Sequence, residues 1–444
     1  MTKRLPDSVK YCVIGTGVHG LSTAWHLAKE LKVRGWGSGN DVLVLDKTGI
    51  AAGASGIACG VVRNFYYQPA MSAVMHVSVE IWESDPEAFH YKPVGYMALV
   101  PEVQATDLET IYERHERTGY RATLVRGEQE VFDYMQKIFP DWKARGLTAC
   151  LHEHQGGFAC NKESMYGLAD KARSEDVEIL TGVAVTGFDL SDSDGTVKTI
   201  HTDHGEIDIE QVIIAVGPWI KHLWTMLELP NTGDVRTSDG TVHQDLEMWT
   251  YWRLQEGEIE IDPQIYVTAD GRTPPVMHVD SAEPLISDRD GRQITDGHWG
   301  IYFKQDRHGV QGGAVPEKLG HEAQVDPYGP ESKLYTVGDD FADYWIAGLA
   351  HCMKRFEGKS RAYKKAPTGG IGCFTVDNFP VFDYMRPNAY VIADSNHGYK
   401  MIGVGKEVAK MLLGGHSDVL HPFRFSRFAE GDLHPTSNSP FPWS

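Results

Sequence analysis

The residues best equipped for chemistry sit in three short stretches, two near the start of the chain and one near its end. The first, KYCVIGTGVHG (10–20), places Gly15, Gly17 and Gly20 between an apolar run and a helical pattern through Leu21, Ala24, Leu27 and Ala28. Gly15 permits a tight turn, Gly17 lets backbone approach a pyrophosphate, and Gly20 lets helix and sheet pack closely. The helix N-terminus then faces the phosphate charge. The second stretch, AAGASGIACGVVRNFYYQP (51–69), is a loop of small residues leading into Arg63. The third, DSNHGYKMIGVG (394–405), sets His397, Gly398, Lys400, Gly403 and Gly405 between the strand-like AYVIA and the helical KEVAKMLL.

The elements around these residues fix their meaning. DVLVLDK follows the first helix as a second strand ending in Asp46, an acid placed to accept ribose hydroxyls. Strand, glycines, helix, strand and terminal acid in that order predict a dinucleotide fold, and Asp46 favours the unphosphorylated ribose of NAD or FAD over NADP. The small-residue loop then decides between those two. A nicotinamide dehydrogenase would continue into further βα units, whereas a loop of small residues lets backbone amides meet the flavin end of an extended FAD. Later, QVIIAVGPWI (211–220) reads as a buried strand ending at Gly217, where backbone can approach the cofactor again. The helix–strand–turn–strand pattern before it returns the chain to the same sheet, with Val183 near the adenine.

The bulk composition is that of a globular protein: 41% hydrophobic and 23% charged over 444 residues, long enough for two domains. A formal charge of −19 argues against a nucleic-acid partner. No apolar run reaches the length of a membrane span, and no secretory core precedes the first strand, so a cytoplasmic location is expected. The six scattered cysteines, none in a CxxC, read as reduced thiols. No metal site is expected. LSDSDGTVKTIH resembles a calcium loop but has Leu190 and His201 where the end carboxylates belong, and the histidines of HEH (152–154) lack partners at metal spacing.

Four blocks carry a family resemblance: VIGTGVHGLSTAWHLA, ASGIACGVVR, VIIAVGPW and TGGIGCFTVDNFPVFD…AYVIADSNHGYKMIGVGKEVA. In this order the chain resembles the D-amino-acid oxidase and sarcosine oxidase superfamily of FAD-dependent amine oxidoreductases. The resemblance implies an α/β fold with two domains. A Rossmann-like FAD domain of the glutathione-reductase type would be assembled from 1–85, 155–239 and 357–444. An antiparallel-sheet α+β substrate domain would be built from 86–154 and 240–356. FAD would meet Gly15, Thr16, Gly17, Val18, His19, Gly20, Asp46, Lys47, Ala54, Ser55, Gly60, Val61, Val62, Val183, Ala215, Gly217, Trp219, Gly398, Tyr399 and Lys400.

The resemblance also implies roles near the flavin. NHGYK stands where relatives carry GHGFK beside the flavin pyrimidine, so His397 and Lys400 are candidate partners of the reduced ring, and Lys400 a candidate carboxylate ligand. Arg63 is placed to bind or position substrate. Tyr302 stands where sarcosine-type oxidases carry a lysine that assists reaction with oxygen; Lys304, two residues on, shares its face of the strand. Oxidase and dehydrogenase therefore both stay open. Covalent flavin would need cysteine where Gly372 stands; Cys373 is one residue off and faces the other way, so noncovalent FAD is expected. The implied activity is oxidation of the C–N bond of an amino acid or an N-methylated or other secondary amine. Hydride goes to FAD, the imine hydrolyses, and oxygen or an electron-carrier protein accepts the electrons. The alternatives are a D-amino acid, glycine or 2-hydroxy acid as substrate, or a flavin-binding subunit of an electron-transfer complex.

Overall fold

A computed structural model describes residues 5–314, 316–329, 332–364 and 369–440. Two large sheets organise them. The first runs Val185–Leu190, Val197–Thr202, Gly205–Ile214, Ser8–Ile14, Val42–Asp46, Glu178–Thr181, with Ala389–Ala393 and then Val381–Arg386 joined at Gly205–Ile214. Its centre is parallel: Ser8–Ile14 pairs in parallel with Val42–Asp46 and with Gly205–Ile214, which pairs in parallel with Ala389–Ala393. The apolar runs CVI, VLVL and VIIA suit strands buried on both faces. Alternation divides them: Val13, Val44 and Ile213 enter one core, Cys12, Leu43 and Val212 the other.

Helices Val18–Arg34 and Gly403–Leu412 pack together on the first of these faces. Gly405 permits the contact, since a Cβ there would strike Ser22 and the Thr23 backbone. The glycine stretches from the two ends of the chain are thereby brought side by side.

The second sheet runs Glu317–Gly320, Thr250–Glu260, Gly309–Ala314, Trp299–Asp306, Val276–Ser281, Tyr96–Val100, Ala149–Glu153, Ala122–Arg126. It is antiparallel except where Val276–Ser281 meets Tyr96–Val100. The helix expected over DDFADYWIAGLAHCMKRF forms at Asp339–Cys352 and covers this sheet through Phe341, Trp345 and Leu349. Strands Tyr363–Lys364 and Gly369–Phe374 also pair with Thr250–Glu260. The expected domain boundary at 357 therefore cuts across the second sheet; backbone pairing with a strand more than a hundred residues earlier is invisible to a division made on local pattern. LSDSDG forms the turn between Val185–Leu190 and Val197–Thr202, as its composition predicts. No helix among the described residues is long and apolar enough to cross a membrane.

Candidate active site

A cavity of about 600 Å³ runs from the carboxyl ends of the parallel strands to the face of the second sheet. At its start Gly15 adopts φ +112°, and a Cβ there would collide with the Ala215 carbonyl. Only glycine fits both demands. Gly20 packs against the Gly15 carbonyl with no room for a side chain and lies outside the lining. Asp46 lines the cavity but is already engaged. Its Oδ2 accepts from the Thr16 amide (2.9 Å) and hydroxyl (2.8 Å), and its Oδ1 from the Thr48 amide (2.8 Å). The acid expected only to bind ribose thus also braces the glycine turn.

Lys47 and Trp219 sit at the mouth. The Lys47 ammonium lies 4.1 Å from the Trp219 ring centroid and donates to both Asp326 oxygens (2.6 and 2.7 Å), while the Trp219 indole N–H donates to Asp326 Oδ1 (3.0 Å). This clasp ties the end of the second parallel strand to a loop that follows the antiparallel sheet. Thr16, Gly17, Val18, His19, Ala54, Ser55, Gly60, Val61, Val183, Ala215 and Gly217 line the cavity. Val62 does not: it neighbours Val61 in a short strand, points to the opposite face and is fully buried in the core.

Beside the glycine loop the C-terminal block closes the wall. Gly398, Tyr399 and Lys400 line it. Tyr399 is fixed by its hydroxyl, which donates to the carbonyls of Ser55 and Asn161, and by its own carbonyl, which accepts from the Trp82 indole (2.7 Å). His397 is turned away from the cavity. Its Nδ1 lies 2.9 Å from Asp394 Oδ1, and His19 Nε2 lies 2.8 Å from Asp394 Oδ2, so one buried carboxylate bridges two histidines from opposite ends of the chain. Burial holds the His397 imidazole below its ordinary range, although Asp394 pulls the other way. His397 is thus a support for the loop rather than a group facing the ligand.

Arg63 lines the cavity, 7% exposed, with no carboxylate in ion-pair distance among the described residues. It donates to the Tyr96 hydroxyl, and its Nη1 lies 3.3 Å from His278 Nδ1. His278 Nδ1 is also 2.7 Å from the Tyr96 hydroxyl, and its Nε2 is 2.9 Å from Asp280 Oδ1. Lys400 has no carboxylate in ion-pair distance among the described residues either, and Asp394 acts on it only from further away. Burial pushes its ammonium down in pKa. Burial raises the nearby Tyr66 phenol, but Lys400 and Arg63 outweigh it and the net shift is downward. A buried guanidinium and a half-buried ammonium therefore converge around Tyr66, Tyr96 and His278, an arrangement suited to an anion such as a carboxylate.

The floor is a row across the second sheet. Glu256 pairs with Gly313, Gly313 with Tyr302, and Tyr302 with His278, so all project to one face. A Cβ at Gly313 would meet the Tyr302 hydroxyl at 2.5 Å. The phenol lies across that glycine and donates to Glu256 Oε1 (3.0 Å). Lys304 shares the face but lies outside the lining; its Nζ is taken by Asp306 (2.6 Å) and stacked on Phe158. Sequence reasoning missed Tyr66, Tyr96, Glu256, His278, Asp280 and Asp394. The one local signal was VMHVDS, whose His278 and Asp280 share a strand face by alternation.

These features fit FAD. Backbone amides at Gly15–Val18 would meet the pyrophosphate, the Val183–Val185 wall the adenine, and the 54–61 loop with Gly398–Lys400 the flavin. A family model described as FAD dependent oxidoreductase matches residues 10–411. The chain is similar to sarcosine oxidase subunit beta of Rhizobium meliloti (strain 1021), 26% identical over 216 residues, 46% of this chain and 48% of that one. It is similar to dimethylglycine dehydrogenase of Homo sapiens, 25% identical over 232 residues, 50% of this chain and 25% of that one. The chain thus spans half or less of the length of these relatives. Among solved structures, L-proline dehydrogenase from P. horikoshii superposes with a TM-score of 0.73 at 19% identity, covering 97% of this chain and all of that one. Glycine oxidase from Geobacillus kaustophilus superposes with a TM-score of 0.66 at 17% identity, covering 95% and 99%.

Proposed function

This chain belongs to the FAD-dependent oxidoreductase family, and we propose that it oxidises the C–N bond of an amino acid or N-methylated amino acid. The observation that carries the reading is a pair of cations in the cavity lining, the buried Arg63 and the half-buried Lys400, without a carboxylate in ion-pair distance among the described residues. Two like charges held close together and largely out of water are costly until an anion joins them. A substrate carboxylate satisfies both, with the planar guanidinium fork fixing its orientation. Bound FAD supplies the two-electron acceptor for the adjacent C–H bond. The chain's own part is to anchor the carboxylate and hold the substrate against the flavin between the 398–400 loop and Tyr302. The unit built on the parallel sheet holds the cofactor, and the antiparallel sheet supplies the substrate floor.

The test is anaerobic mixing with a panel of sarcosine, dimethylglycine, glycine, proline and D-alanine, with lactate as the hydroxy-acid control. Bleaching of the flavin band by one or more of the amines is expected, and bleaching by lactate alone would overturn the reading. Admission of air then separates oxygen from a carrier protein as acceptor.

The FAD is held noncovalently in this reading. Cys373 lies outside the lining, and burial pushes its thiol up to about 12. Cys59 does line the cavity, but burial holds it well above the ordinary thiol range, so it lacks the thiolate that attachment requires. Acid precipitation should release all the yellow colour to the supernatant; colour retained in the pellet would refute this. All six thiols are unpaired, which supports a reducing, cytoplasmic setting.

A further inference from the structure

Glu256 is a carboxylate of the cavity floor that is left half-used. It is 8% exposed. Its Oε1 accepts from the Tyr302 hydroxyl (3.0 Å) and the Cys59 amide (3.2 Å). Its Oε2 is buried and has no partner among the described residues. An unpaired carboxylate oxygen out of water is costly, and protonation does not cure it, because the resulting O–H would equally lack an acceptor. For the ionised carboxylate the missing partner is a donor, and a ligand N–H supplies one.

Position narrows the choice. Glu256 and His278 are the ends of the row through Gly313 and Tyr302, three strand spacings or about 14 Å apart at the backbone. Arg63 reaches over the His278 end, and the Tyr302 phenol extends toward the Glu256 end. The cavity lining thus holds cations at one side and Glu256, with one carboxylate oxygen unpaired, at the other. That is the charge pattern of a zwitterion with its carboxylate at Arg63 and its nitrogen toward Glu256.

We propose that Glu256 receives the nitrogen of the substrate, pairing with its ammonium and taking one proton onto Oε2 before the C–H bond breaks. The step balances without a co-reactant. An N–H bond breaks, an O–H bond forms on Glu256, the nitrogen keeps the lone pair, and no electrons change hands. The neutral amine can then expel hydride to the cofactor, which an ammonium cannot. This inference rests on the amine reading of the site and adds the proton acceptor to it.

The surroundings suit the task. Desolvation by burial raises Glu256 above the usual carboxylate range, although Tyr302, the Cys59 amide and thiol and, more distantly, Lys304 act in the opposite sense. Tyr328 and Tyr399 also face it, and both phenols are themselves held up by burial. A raised carboxyl lies closer to an ammonium in proton affinity and is the better acceptor. Tyr302 and the Cys59 amide hold Oε1, which leaves Oε2 as the oxygen without a partner among the described residues.

The test compares wild type with Glu256→Gln, each loaded with FAD. Flavin reduction by the best amine of the panel is followed anaerobically from pH 6 to 10. In Glu256→Gln the rate at pH 7 should fall about 100-fold or more, and recover as pH rises toward the ammonium's own pKa, where the neutral amine is supplied by solvent. A pH profile and rate equal to wild type would overturn the proposal. Binding gives an independent reading that needs no turnover. Titration of flavin absorbance with an amino acid and with the carboxylic acid lacking its amine should show wild type preferring the amino acid. Glu256→Gln should lose that preference by about 10-fold or more yet bind the plain acid unchanged. An unchanged preference would overturn the proposal even if the amine reading stood. If no amine reduces wild type, the amine reading itself falls.

Discussion

Replacing Arg63 by methionine is expected to weaken binding of a carboxylate ligand by about 100-fold, or about 2.8 kcal/mol, without loss of folding. Arg63 is buried and shares no ion pair among the described residues; its neighbours are the Tyr96 hydroxyl, His278 and the rings of Phe65 and Tyr66. Its charge is therefore a burden on the unliganded protein and is compensated only when an anion binds. Losing one member of a buried charged pair costs about 2–5 kcal/mol in comparable interfaces, which brackets the expected loss. Methionine fills much of the same volume and takes away the uncompensated charge, so the denaturant midpoint should hold or rise. Arg63→Lys should recover little, because a single ammonium cannot reproduce the guanidinium fork. Propionate titrated against the flavin spectrum measures the affinity, and urea unfolding measures the stability. Unchanged affinity would remove Arg63 from the ligand site. Lost affinity together with collapsed stability would make it a structural residue.

The residues readable in the sequence are those whose role is set by local geometry. Gly15 needs a left-handed turn between strand and helix, and that need is written in the neighbouring pattern. Gly398–Lys400 follow a buried strand and precede a helix, so their place at a strand's carboxyl end is also local. Glu256 could not be found this way. TYWRLQEGEIE reads as an ordinary half-polar strand, and only its register with Gly313 and Tyr302 turns this glutamate into the cavity. Distance along a strand defeats alternation as well. Lys304 does share the face of Tyr302, but two residues carry it roughly 7 Å further, where Asp306 neutralises it.

His397 shows a third kind of failure. The loop lines the cavity, but a single buried acid three residues earlier decides which way the imidazole turns. The same physics explains Lys47. It stands in the expected place after Asp46, yet Asp326 and Trp219 from distant segments determine its contacts. In both cases the backbone pattern locates the residue and a nonlocal partner assigns its direction.

That buried acid carries the second large expected effect. Asp394→Asn should cost about 3–5 kcal/mol of stability and loosen FAD at the same time. Asp394 accepts from the His397 amide (3.1 Å) and the Asn396 amide (3.2 Å), and holds the rings of His397 and His19 on its two oxygens. An asparagine of the same shape would turn an N–H toward one of those donors and leave a buried polar clash. His19 belongs to the first turn of the glycine-loop helix and His397 begins the flavin loop, so both halves of the cofactor wall lose their common tie. The pH dependence gives the finer check. Burial alone would raise the Asp394 carboxyl, but His397 and His19 outweigh it and hold it well below the usual range. A depressed carboxyl contributes stability above its unfolded pKa of about 3.9, and that contribution drains away as pH falls toward the folded value. Wild type should therefore lose stability more steeply below about pH 4 than Asp394→Asn, whose side chain does not titrate. Urea midpoints for both proteins at pH 7 and at decreasing pH, with FAD content measured alongside, decide it. Equal midpoints at pH 7 with full FAD would show that the bridge between the two histidines is dispensable.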